Sequence, residues 1–135
     1  MTLQFSETVR NDRLDAIETT IGASPILEIR SGAVPANCAA VDNGTVLATL
    51  NLPSDFMAAA AAGSKAKSGT WEDASADATG TAAHFRIKDN GGSTCHLQGT
   101  VTATSGGGDM EVDNVSFAIT QSFTVTAFTL NEGNA

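Results

Sequence analysis

The spacing of apolar residues changes character once along the chain, at Pro25. Before it, in "SETVRNDRLDAIETTIG", Val9, Leu14, Ile17 and Ile21 fall near one face of a 3.6-residue repeat. Ser6 is placed to cap the start, Glu7 sits near the positive end of the helix dipole, and Gly22 suits the C′ position. A helix is therefore predicted over 6–22, with an apolar stripe narrow enough to need a surface beneath it. After Pro25 the period falls to two. "ILEIRSG" puts Leu27 and Ile29 on one face of a strand and Glu28 and Arg30 on the other, and "TVLATLNLP" aligns Val46, Ala48, Leu50 and Leu52 before Pro53 stops it. "SGAVPANCAAVDNG" reads as a loop between them. The segment 54–69 fits either a short helical turn or an extended run.

Three further β segments follow residue 83. In "DMEVDNVSFAI" the alternation shifts phase from Met110 and Val112 to Val115, Phe117 and Ile119, which predicts a bulge or tight turn at Asp113–Asn114. "QSFTVTAFTLNEG" slips similarly, from Phe123, Val125 and Ala127 to Phe128 and Leu130, as a strand does when it leaves one sheet for another. Seven or eight strands with no fixed repeat predict an all-β, two-sheet antiparallel sandwich of jelly-roll or Greek-key type with one N-terminal α-helix. Residues 1–22 form the helical segment and 23–135 a single β-sandwich domain. At 135 residues, with 41% apolar and 16% charged residues and 13 glycines, the chain needs neither metal nor disulfide to bury a core.

Charge narrows the partners. A net charge of −8 with only seven Lys and Arg argues against nucleic acid or an anionic membrane, both of which ask for clustered cations. "MTLQFSETVRNDRLD" has no apolar signal core and "MAAAAAG" is too short to span a bilayer, so synthesis in the cytoplasm is expected. Cys38 and Cys95 are then expected to stay reduced as small buried residues, with a bridge between them possible in an extracellular particle.

Chemistry-bearing residues concentrate in "HFRIKDNGGSTCHLQGTVTAT". Alternation places Phe85 and Ile87 inward and His84, Arg86 and Lys88 toward solvent; Cys95, Leu97 and Val101 point inward and His96, Gln98 and Thr100 outward. The apolar faces coincide only across an odd loop, over 90–92 or 90–94, and neither register sets the two imidazoles opposite one another. Two solvated histidines are expected, not a metal pair. Inward burial makes Cys95 an inert thiol with a raised pKa, and His96, its neighbour, faces away from it.

Other motifs are weaker. "TSGGGD" lacks the context of a phosphate loop and reads as a flexible hairpin loop, while "DNG" and "KDNGG" lack a calcium loop's ligand set. Asp73 with Asp77, and Asp109 with Asp113, read as surface acids. Trp71 fits core or interface better than an exposed sugar platform. No catalytic, cofactor or metal residue is expected. The helix stripe either covers one end of the sandwich or, as Arg10, Arg13, Leu14, Ile17 and Ile21, docks on a partner chain.

The segments "RNDRLDAIETTIGASPILEIRSG", "GTVLATLNLPSDFM", "SKAKSGTWEDASADATGTAAHFRI" and "QSFTVTAFTLNEGNA" resemble small β-rich virion proteins of tailed phages and prophages, above all the jelly-roll cement (decoration) proteins of phage heads. That resemblance implies a structural role without enzymatic activity or cofactor. It implies the major capsid protein and further copies of the chain (dimer or trimer) as partners, and the capsid exterior as location. The alternative is a tail or fibre component, or a carbohydrate-binding sandwich that contacts the host surface and stacks sugar on an exposed Trp71.

Overall fold

Helix α1 runs Glu7–Ile21 in the computed structural model, which describes residues 2–134. Ser6 Oγ accepts from the Val9 N–H at 3.3 Å and Gly22 follows at φ +87°, so both ends form where capping chemistry places them. Leu14 and Ile21 are buried, and Ile17 packs against the main apolar cluster that Ile21 joins.

Beyond the helix the chain is mostly β. Strands β1 (Ile26–Arg30), β2 (Val46–Asn51), β3 (Ser64–Ala66), β4 (Glu72–Asp73), β6 (His84–Lys88), β7 (Cys95–Ala103), β8 (Met110–Val112) and β10 (Phe123–Asn131) form one sheet. Its order is β2-β1-β6-β7-β8-β10-β3, with β4 also on β10. Strands β5 (Gly80–Thr81) and β9 (Ser116–Phe117) pair as a small second sheet. Leu27, Ile29, Leu50, Phe85, Ile87, Val101, Met110, Val112, Val125 and Phe128 fill the core from one face, as alternation predicts. Trp71, Ala76 and Phe117 join it from outside the central strands.

The sheet is mixed, which corrects the wholly antiparallel expectation: β7 and β8 run parallel, with Val101 opposite Met110 and Ala103 opposite Val112. Parallel neighbours ordinarily need a crossover of about a dozen residues or more. Here "TSGGGD" makes the return alone. A Cβ on Gly106 or Gly108 would lie 2.6 or 2.8 Å from the Thr102 side chain, so only bare backbone can fold back so closely over β7. Thr102 Oγ1 accepts from the Gly108 N–H at 3.0 Å, and the Glu111 carboxylate accepts from Ser105 and Gly107. The stretch expected to be a flexible hairpin loop is a tied-down reversal.

Both phase slips are real. At 113–114 the chain leaves the main sheet for the small one, with Asn114 Oδ1 accepting from the Ser116 N–H at 2.9 Å to close the turn. In β10 the extra residue is Thr126, since Val125 opposes Val112 while Ala127 opposes Glu111. Ala127 is consequently exposed, one position from where alternation put it. The 54–69 segment resolves as extended: Met57 bridges Lys67, and Ala61 and Ser64 exchange backbone bonds across Ala62–Gly63, both at positive φ.

Candidate functional site

The outer face of β1, β6 and β7 carries a grid of polar side chains. Register sets Glu28 opposite Arg86 and Arg86 opposite Gln98; Arg30 opposite His84 and His84 opposite Thr100; Ile26 opposite Lys88 and Lys88 opposite Cys95. Three cations and a histidine at alternate positions would normally face water. Instead Arg30, His84, Arg86 and Lys88 are all buried, which corrects the solvent-facing reading. The cover is residues 31–45, the strap linking β1 to β2.

The strap is built from small residues, so it meets the grid with its backbone. Arg86 Nη2 donates to the carbonyls of Asn37 and Cys38, each at 3.0 Å, and Nη1 donates to Ala40 O at 3.0 Å. Gln98 Nε2 donates to Pro35 O at 2.7 Å, and Arg30 Nη1 to Asn43 O at 3.3 Å. Asp42 supplies the one carboxylate from above. It accepts from Arg86, from Lys88 Nζ at 2.7 Å and from Arg30 Nη2 at 3.0 Å. Glu28 answers from within the sheet, 2.8 Å from Arg30 and 3.1 Å from Lys88. Burial works against the Asp42 charge, yet Lys88, Arg86 and Arg30 together hold its carboxyl down at about 2. Three cations against two carboxylates leave the cluster one positive charge in excess.

His84 lies at the foot of the strap, wholly buried. Its Nδ1 is 2.9 Å from Gly32 O; a carbonyl only accepts, so the proton sits on Nδ1 and Nε2 is a bare acceptor without a hydrogen-bond partner among the described residues. Burial first, and then Arg30 and Arg86, lower its pKa, outweighing the Gly32 bond and Asp42.

The hairpin register in its body is that of the five-residue loop, with Arg86 opposite Gln98 and Ile87 opposite Leu97. A bulge then shifts Lys88 onto Cys95. That extra residue reverses two expectations. Cys95 joins Lys88 on the strap side, whereas His96 lines a shallow cavity of about 270 Å³ beside Arg13, Ile17, Thr20, Ile21 and Leu97. His84 and His96 are not brought together. Burial, and then a hydrogen bond with Cys38, push the Cys95 thiol up to about 11.

A second cluster fastens α1. Glu7, Asn11, Asp15 and Glu18 recur every three or four residues on one helix face, and their side-chain oxygens accept from the N–H groups of Ala62, Gly63, Ala60 and Met57. Lys65, buried beneath, reaches Asp15 at 2.6 Å and Glu18 at 2.8 Å. The helix thereby caps backbone that would otherwise be an open sheet edge. Of the candidate interface residues, Leu14 and Ile21 are inside this chain's own core, Arg10 donates to Glu132 O at 3.2 Å, and Arg13 pairs with Glu132 at 2.8 Å.

The acids set aside earlier are spent on hydrogen bonds within the chain. Asp89 Oδ1 accepts from Ser93 at 2.8 Å, Asp109 from Thr100 at 2.8 Å, and Asp113 from Thr124 at 3.1 Å. Among the described residues no three His, Cys, Asp or Glu side chains are grouped to hold a metal ion, and no helix is long and apolar enough to cross a membrane. Trp71 is 1% exposed, its ring 5.4 Å from Phe128 and 6.3 Å from Phe56, so it offers no sugar-stacking platform.

The buried grid was missed because alternation reports only which face is apolar, not what covers the other. Two signals pointed to it: "HFRIK" and "LEIR" present charges in facing rows, and the intervening strap lacks large side chains of its own. The capping stripe of α1 had a similar signal, acceptors at helical spacing and a run of small residues in "MAAAAAG". Compared with known proteins, the chain matches no family model, no curated protein and no solved structure.

Proposed function

We propose that this protein is a non-enzymatic structural component of a phage virion, a cement that clamps neighbouring major capsid subunits and stabilises the head. The observation that carries the reading is where the positive charge goes. Of seven Lys and Arg residues, Arg30, Lys65, Arg86 and Lys88 are buried, which leaves Arg10, Arg13 and Lys67 to reach the exterior. Opposite them stand fifteen Asp and Glu, none buried among the described residues. The four buried cations are matched by Asp15, Glu18, Glu28 and Asp42, so three cations and eleven carboxylates remain and the whole net charge of −8 falls on the outer surface. Such a surface suits a basic protein rim and repels nucleic acid and anionic lipid.

The internal placement of the cations has a mechanical consequence as well. They tie the strap and helix to the sheet, so the polar chemistry serves rigidity, which a clamp under load requires. Many copies at symmetry axes then convert modest contacts into avidity. A two-layer sandwich of jelly-roll type, with β5–β9 as the start of its second layer, belongs to this reading. So do a dimeric or trimeric state and assembly on the capsid exterior after cytoplasmic synthesis.

Reconstruction of the virions that carry this chain tests the assignment. Density for it at stoichiometric abundance on the head lattice is the expected result, with heads that leak DNA when it is removed. Density confined to the tail tip would replace the cement reading with the tail-component one.

A further inference from the structure

The chain has two cysteines, on different elements, and the fold puts them side by side. Cys38 rides on the strap, where its carbonyl accepts from Arg86 Nη2. Cys95 opens β7, and the bulge there turns it to the strap side. Both line a cavity of about 190 Å³ together with Ala40, Asp42, Arg86 and Lys88. The two thiols line the same cavity, each half-buried, Cys95 Sγ donates to Leu97 O at 3.3 Å, and neither cysteine is in a disulfide. Hydrogen bonds and ion pairs join the strap to the grid, and none of these survives loss of the fold.

We propose that Cys38 and Cys95 form a disulfide site, at which oxidation by a small-molecule disulfide of the glutathione type locks the strap covalently to β7. Cys38, on the loop, reacts first. Its thiolate attacks one sulfur of the oxidant, a mixed disulfide forms, the oxidant's own S–S bond breaks, and the departing thiolate takes a proton. Cys95 then gives up its proton and attacks the Cys38 sulfur, which expels the second small thiol. Two cysteine thiols are oxidised and one oxidant molecule is reduced to two thiols. The high pKa of Cys95 makes it a poor first nucleophile, and adjacency lets it act second. The inference holds whatever partner the chain serves.

The test uses the full chain equilibrated in glutathione buffers of increasing oxidising strength, quenched in acid and alkylated. The expected result is an intact mass lower by two hydrogens and a linked Cys38–Cys95 peptide on non-reducing digestion. The thermal midpoint of the oxidised form should rise by about 10 °C, because the bridge closes a long loop in the unfolded chain. Amide exchange over 33–42 should slow, and Cys38→Ser and Cys95→Ser should show none of these changes. Persistent glutathione adducts in the unaltered chain, bridges between chains, or a linked peptide with no rise in midpoint would each overturn the proposal.

Discussion

Asp42 is the keystone of the strap, and replacing it with Asn measures what the buried grid is worth. The carboxyl sits at about 2 against an ordinary 3.8. At about 1.4 kcal/mol per pKa unit, that depression corresponds to about 2.4 kcal/mol favouring the charged form in the fold. Roughly a third of the side chain meets solvent (34%), so screening trims the figure. Leaving Arg30, Arg86 and Lys88 buried with only Glu28 adds a penalty in the other direction. The two corrections offset, and Asp42→Asn should destabilise the protein by about 2 kcal/mol at pH 7. With a urea slope of about 2 kcal/mol per molar, the unfolding midpoint falls by about 1 M with the slope unchanged. The folded-state value lies below the unfolded one, so the contribution is complete above about pH 4 and lost as pH falls through 2. The gap between the two proteins should close over that window. A variant within about 0.5 kcal/mol of the parent at pH 7, or a gap that ignores acid, would refute the keystone role.

His84 contributes in the same direction at milder pH, because its lowered folded value lets the unfolded chain take up the proton first. Stability should drop as pH falls from about 6.5, and His84→Gln, which keeps a donor for Gly32 O, should flatten that slope in thermal midpoints; an unchanged slope would count against it. Gly63→Ala should cost about 1–3 kcal/mol in urea titrations. Its φ is +74° and the new Cβ would meet Arg10 Nη1 and lie 2.9 Å from the Glu132 backbone oxygen, so a neutral result would deny the close approach. Trp71→Ala should cost about 3–5 kcal/mol as a core cavity. Specific glycan binding by the parent chain, abolished with stability intact, would contradict its burial.

Legibility followed locality. Helix α1 was readable to within its caps because Ser6 and Gly22 act on neighbours three or four residues away. The slips at 113–114 and within 123–130 were readable because a bulge leaves a trace in the alternation itself. The parallel β7–β8 pair was not, since a glycine run says that the backbone can fold tightly without saying in which direction. Nor was the bulge at Cys95–His96, where neither residue is apolar enough to mark the slip. The missed bulge mattered most, for it decides that Cys95 meets Cys38, while the register alone, with His84 opposite Thr100, already keeps His96 from His84.

By itself the amino-acid order determined a β-rich chain with one capped helix, an apolar face on each central strand and an acidic balance, because propensity, periodicity and charge are properties of short stretches. Only the tertiary structure decided that the polar face of β1, β6 and β7 is also an interior. That outcome depends on a strap of small residues whose carbonyls, invisible in any side-chain pattern, are brought over Arg86 and its neighbours by the closure of the fold. Backbone groups are the same at every position, so where they are spent cannot be read from residue identities alone.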